Sequence, residues 1–161
     1  MINYPVIDHI MNVGKICSRE TVIGETNDSL LDMARLMRQH HVGSLIIIAK
    51  KNEGVKPAGI ITDRDIVIQA ISEEISLNSV TAGDIMSHDL LIAREDDDIF
   101  EAFEKMCKKG VRRIPIVNPE GYLVGVLSID DLLEVMVDEM KNLVHLFKHG
   151  QLKEQRIHTR A

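Results

Sequence analysis

Two short stretches of the chain carry the same chemistry at the same spacing: Gly59-Ile60-Ile61-Thr62-Asp63-Arg64-Asp65 and Gly125-Val126-Leu127-Ser128-Ile129-Asp130-Asp131. In each, a glycine lets a ligand or another backbone come close. A hydroxyl (Thr62, Ser128) and, three residues on, a carboxylate (Asp65, Asp131) then project from the first turn of an expected helix. Such a carboxylate can accept two hydrogen bonds from a ribose diol, and the hydroxyl with the free amides of a helix start can hold a phosphate. Arg64 adds a cation beside the first carboxylate; Asp130 stands in its place in the second. The same spacing also describes a capping box, in which those two side chains satisfy the helix's own orphan amides. The local pattern leaves both readings open.

The elements that must position these residues are duplicated too. Val13-Gly14-Lys15-Ile16 aligns with Ala82-Gly83-Asp84-Ile85 at an offset of 69, and the register holds through Leu30/Ile99, Met37/Met106, Val42/Val111 and Ile48/Val117. A three-residue shortening brings the offset to 66 at the two glycine stretches. Each copy begins with an extended segment, 20–25 or 89–94. A polar cluster follows, Asn27-Asp28-Ser29 or Asp96-Asp97-Asp98, whose oxygens suit a helix start. Leu30, Met33, Ala34 and Met37, or Ile99, Ala102, Phe103 and Met106, then recur at helical spacing.

Strands are expected at 45–49 and 58–62, and at 114–117 and 123–128, separated by turn residues 50–57 and 118–121. Pro115 inside a strand run predicts an edge position or a local break in pairing. A second helix follows at 63–71, or from 129 onward. The class is therefore α/β (α+β): two β-α-β-β-α repeats, 13–71 and 82–137, with a lead-in 1–12, a linker 72–81 and an extended C-terminal helix and polar tail over 138–161. A unit this long, present only twice, predicts a face-to-face pair with a crevice between the halves.

The last helix outlasts its counterpart. Leu132, Leu133, Met136, Met140, Leu143, Val144 and Phe147 continue one apolar stripe, which Gly150 is expected to end. A stripe that outlasts its own repeat packs on a partner or back across the other repeat; its spacing resembles a helix-pairing seam, and a homodimer is the favoured expectation.

Bulk composition excludes several classes. Nineteen basic against 25 acidic residues leave a net charge of −6, which argues against nucleic acid or an anionic membrane as partner. Aromatics are only 3%, too few for base stacking. Cys17 and Cys107 sit at unrelated places in the repeat and read as reduced thiols. No signal-peptide pattern opens the sequence and no apolar run approaches the ~18 residues of a spanning helix, so a cytoplasmic protein is expected. His40-His41 point apart on a helix, and His145 with His149 lack a third ligand, so no metal is expected. No nucleophile–base arrangement is evident, and no catalysis is expected.

The whole order resembles a tandem pair of cystathionine-β-synthase-type (CBS) domains, the Bateman module. The matching pieces are Val42-Gly43-Ser44-Leu45-Ile46-Ile47-Ile48 before the Gly59 stretch, and Val111-Arg112-Arg113-Ile114-Pro115-Ile116-Val117 before the Gly125 stretch. The resemblance implies repeats packed about a pseudo-twofold axis, with two clefts for adenine nucleotides or other adenosyl ligands. By position, Asp65 and Asp131 would hold riboses, and Thr62 and Ser128 ribose or phosphate. Adenine would lie against Thr21, Val22 and Ile60 in one site and Leu90, Leu91 and Val126 in the other, with Arg64, Arg112 and Arg113 for phosphate. Asp130 beside Asp131 would repel a phosphate, which makes the Asp65 site the expected stronger one.

The implied function is a regulatory module sensing AMP, ADP or ATP, without a catalytic cofactor, acting on an unidentified regulated protein. The alternatives are an interaction or dimerisation module with vestigial clefts, and a binder of S-adenosylmethionine or NAD.

Overall fold

In the computed structural model, which describes residues 11–51 and 54–158, each repeat builds one three-stranded sheet. β1 (Ile23–Glu25) runs parallel to β2 (Ser44–Lys51), which pairs antiparallel with β3 (Gly54–Thr62). β4 (Ala93–Arg94), β5 (Arg113–Val117) and β6 (Leu123–Ser128) repeat that order. α1 (Leu30–His40) and α4 (Ile99–Lys109) are the crossovers between first and second strands. α2 (Asp63–Ile66), continued by a π-helical turn over Val67–Ile71, a short α3 (Ala82–Ile85) and α5 (Ile129–His158) complete the described elements, with a 3-10 turn at Val13–Lys15 ahead of β1. The expected class, two β-α-β-β-α repeats with a long last helix, is the one observed.

Local chemistry explains the crossovers. Ser29 Oγ accepts from the Asp32 amide at 3.2 Å, and Asp98 accepts from the Phe100 amide at 2.8 Å and the Glu101 amide at 3.2 Å, so each polar cluster caps its helix. Leu30, Met33 and Met37, like Ile99, Ala102 and Met106, are buried on one face. Gly110 ends α4 in the left-handed region at φ 69°; the equivalent His41 does so at φ 54°, where a side chain costs more. Leu45 to Ile48 are all buried, as a strand covered on both faces requires.

The two repeats exchange their leading segments. Val13 and Cys17 belong to the core of the second repeat, with Ala93, Ile114, Ile116 and Leu127, while Ala82 belongs to the core of the first, with Leu45, Ile47 and Ile61. The exchange is reciprocal at the hydrogen-bond level. Ile99 N donates to Met11 O and Leu30 N donates to Val80 O, both at 3.1 Å, so each segment caps the other repeat's crossover helix. Met11 and Asn12 thus join the second repeat, and the end of the expected 72–81 linker joins the first. The rest of the lead-in, residues 1–10, lies outside the described residues.

Exchange also explains the two glycines. The Ser18 amide donates to Val126 O at 2.9 Å and the Val126 amide returns to Ser18 O at 2.9 Å, while the Ser87 amide donates to Ile60 O at 3.0 Å. A Cβ on Gly125 would meet Ser18 O at 2.6 Å, and one on Gly59 would meet Met86 Sδ at 2.5 Å. What approaches these glycines is the opposite repeat, not a ligand: the Ser18 backbone at Gly125 and the Met86 side chain at Gly59. Gly125→Ala should therefore destabilise the chain by about 1–3 kcal/mol in denaturant unfolding, because a carbonyl cannot yield as a side chain can. An unchanged midpoint would dismiss this packing role.

Three expectations are corrected. Pro115 lies in the central strand β5, not at an edge. The Ile46 amide donates to Val22 O at 3.3 Å, whereas Pro115 at the equivalent position has no amide, so β4 pairs only at Ile116 and Val117 and is one residue shorter than β1. The break in pairing is real; the edge is not. The expected 50–57 turn is mostly strand, since β3 already starts at Gly54 and tolerates Pro57 as an edge strand; residues 52–53 lie outside the described residues. α5 continues through Gly150 to His158, because an internal glycine costs only about 1 kcal/mol and strong helix formers follow it. Residues 159–161 and the side chain of His149 lie outside the described residues.

Candidate functional site

The exchanged segments bring each strand-to-helix junction against the opposite repeat. Thr62 closes β3 and caps α2: its amide donates to Asp65 Oδ2 at 2.8 Å, its hydroxyl donates to the same oxygen at 2.7 Å, and the Asp65 amide donates back to Thr62 Oγ1 at 3.2 Å. Ser128 and Asp131 repeat this arrangement at 2.7, 2.7 and 3.3 Å. The capping reading of the motif is therefore correct. It does not use the whole carboxylate. Both capping bonds end on Oδ2, and among the described residues no donor reaches Oδ1 of Asp65 or Asp131.

A third box makes the contrast. Thr81 and Asp84 form the same contacts at 2.8 and 2.7 Å, yet line neither of the clefts described below, and hydrogen bonds from Thr81 hold the Asp84 carboxyl below its ordinary value. What sets Asp65 and Asp131 apart is their position at the seam.

Two clefts open there, and they are unequal. The larger, about 710 Å³, is lined by Ile60, Thr62, Arg64 and Asp65 of the first repeat and by Leu90, Leu91, Arg112, Arg113 and Asp130 of the second. The smaller, about 160 Å³, is lined by Thr21 and Val22 of the first repeat and by Arg113, Val126, Ser128 and Asp131 of the second. All the expected site residues thus line one cleft or the other, but their grouping changes. Ile60 shares a cleft with Leu90 and Leu91, and Val126 with Thr21 and Val22, because the segments before β1 and β4 are the exchanged ones. Asp130 faces the Asp65 cleft, not the Asp131 cleft.

The larger cleft carries both signs of charge. Arg64 and Arg112 have no ion-pair or side-chain hydrogen-bond partner among the described residues. Of the carboxylates, Asp63 Oδ1 accepts from the Arg64 amide at 2.7 Å and Asp89 pairs with Lys109. Donor-rich and acceptor-rich groups of a ligand would each find a partner here. In the smaller cleft Thr21 Oγ1 is buried without a hydrogen-bond partner. Ser44 and Ser87 also line the larger cleft and were not expected; Ser44 stood in plain sight as the counterpart of Arg113. Among the described residues no group of three or more His, Cys, Asp or Glu could hold a metal ion.

The CBS domain family model matches residues 13–71 and again 82–138. The chain belongs to the CBS-domain family. The CBS pair is 38% identical over 125 residues to a protein of Methanopyrus kandleri, covering 78% of this chain and 62% of that one. It is 32% identical over 123 residues to hypoxic response protein 1 of Mycobacterium tuberculosis, covering 76% and 79%. Among solved structures, the CBS domain pair of protein MJ0100, in complex with 5′-methylthioadenosine and S-adenosyl-L-methionine, superposes with a TM-score of 0.67 at 26% identity, covering 80% of this chain and 97% of that one. No helix among the described residues is long and apolar enough to cross a membrane.

Proposed function

We propose that this CBS pair is a regulatory module that senses an adenine nucleotide, AMP, ADP or ATP, in the larger cleft. Asp65 Oδ1 accepts the ribose hydroxyls, with Thr62 beside it. Ile60, Leu90 and Leu91 receive the adenine, and Arg64, Arg112 and Arg113 the phosphates. The observation that carries the reading is the convergence of three guanidiniums, two of them unpartnered among the described residues, with an apolar slot and an uncommitted carboxylate oxygen in one cleft of about 710 Å³. That volume lies within the roughly 300–1,000 Å³ of small-molecule sites. The Asp131 cleft is the weaker site because its 160 Å³ carries one guanidinium where the larger cleft carries three; Asp130, expected to weaken it, faces the larger cleft instead.

The chain acts as a ligand-responsive homodimer on a separate protein, not as an enzyme. Its long α5 pairs with a second copy, and free Cys17 and Cys107 suit the reducing cytoplasm. Burial raises the Cys17 thiol above its ordinary value, which keeps it an inert core group. Two observations favour rival readings. The adenosyl ligands in protein MJ0100 favour S-adenosylmethionine, and the exposed α5 stripe favours a pure interaction module.

Thermal-shift and calorimetric titrations with AMP, ADP, ATP, NAD, S-adenosylmethionine and methylthioadenosine separate these. A ligand at 100-fold its Kd adds about 2.7 kcal/mol of stability. A selective rise with a nucleotide is expected. A rise with S-adenosylmethionine alone replaces the ligand, and no rise with any of them favours the interaction module.

A further inference from the structure

Arg113 and Ser44 are equivalent residues of the two repeats, and they meet at the seam: Arg113 Nη1 donates to Ser44 Oγ at 3.0 Å. Both line the larger cleft and both line the smaller one, so one long side chain forms part of two walls. The smaller cleft is furnished for binding, with the orphan Thr21 hydroxyl and the uncommitted Oδ1 of Asp131. Its 160 Å³ is nevertheless below the roughly 300 Å³ where ligand pockets begin. Arg113 is its one lining cation among the described residues, against the carboxylates of Glu20 and Asp131.

We propose that Arg113 couples the two clefts: a phosphate in the larger cleft draws its guanidinium off Ser44, and the smaller cleft opens to a second, uncharged adenosyl group. The proposal rests on the nucleotide reading of the larger cleft. Hydrogen bonds from a guanidinium to phosphate are charge-assisted at both ends, and the planar fork matches phosphate geometry. A single bond to a neutral hydroxyl at an exposed site does not hold the side chain against that pull. The same movement takes the cation out of the smaller cleft. Glu20 and Asp131 stay behind and disfavour a second phosphate, which fixes the second ligand as uncharged. By linkage the coupling is reciprocal, and adenosine in the smaller cleft strengthens nucleotide binding by the same factor.

Methyl NMR on the full chain tests this site by site. Val22 and Val126 line the smaller cleft alone, and Ile60 and Leu90 the larger alone. Adenosine is titrated with and without saturating ATP. Saturating ATP should shift Ile60 and Leu90 and lower the adenosine midpoint read at Val22 and Val126 about tenfold, within the usual range of allosteric coupling. In Arg113→Ala the midpoint should be the same with and without ATP. Ser44→Ala, a smaller change that unpins the guanidinium and keeps its charge, should lower the ATP-free midpoint. An ATP response at Ile60 and Leu90 with an unmoved adenosine midpoint overturns the coupling and spares the nucleotide reading. No ATP response at Ile60 or Leu90 overturns the nucleotide reading and the coupling with it. A tenfold effect that survives Arg113→Ala overturns the role of Arg113.

Discussion

Asp65→Ala should weaken adenine-nucleotide binding about 100-fold, measured by calorimetric titration of the larger cleft. A carboxylate oxygen at the ribose makes two charge-assisted hydrogen bonds worth about 1.5–3 kcal/mol each, and losing about 3 kcal/mol is a 100-fold change. The variant also removes a cap. Asp65 Oδ2 accepts from both the amide and the hydroxyl of Thr62, so the alanine form should lose about 1 kcal/mol of stability as well. Asp65→Asn separates the two effects: its amide oxygen can still accept from the Thr62 amide, while the charge facing the cleft is gone. Binding should fall in both variants and stability mainly in the first. Affinity unchanged in both would refute the ribose assignment.

The second large effect concerns assembly. Truncation after Val137 should convert a dimer into a monomer, halving the mass seen by light scattering and removing any dependence of the unfolding midpoint on protein concentration. From Met136 to Phe147 every residue is exposed, and Met140, Leu143, Val144 and Phe147 are 64%, 55%, 52% and 73% exposed, so this part of α5 adds nothing to the protomer's own core. Covering such side chains is worth about 1.5–3 kcal/mol each, enough over four pairs to hold two copies together. The equivalent face of the first repeat is apolar too, with Val67 and Ile71 half exposed where α5 carries Leu133 and Val137. A mass unaltered by the truncation argues against helix pairing.

Much of this was legible in the sequence because the repeat states every element twice. The crossover helices followed from their caps and apolar spacing, and the covered strand from the unbroken Leu45–Ala49 run. The repeat also exposed the asymmetry that matters, Gly43-Ser44 against Arg112-Arg113, and the unequal clefts follow it. What stayed hidden was which segment packs on which half. Linear repeats suggest self-contained units, but Val13 and Ala82 each complete the opposite core, and no periodicity records that exchange. The consequence is a different grouping of the expected residues: Ile60 shares a cleft with Leu90, not with Val22. Pro115 shows the converse: its missing amide was readable, and its central place in the sheet was not. Gly150 does not end α5, because a single glycine costs too little to stop a helix whose neighbours are strong helix formers.

The most direct test of the nucleotide reading is a crystal structure of the full chain grown with ATP. Density should place adenine between Ile60 and Leu90, the ribose on Asp65 Oδ1, and the phosphates among Arg64, Arg112 and Arg113, with Arg113 turned away from Ser44. A larger cleft left empty at saturating ATP, or a nucleotide seated elsewhere on the chain, would contradict it.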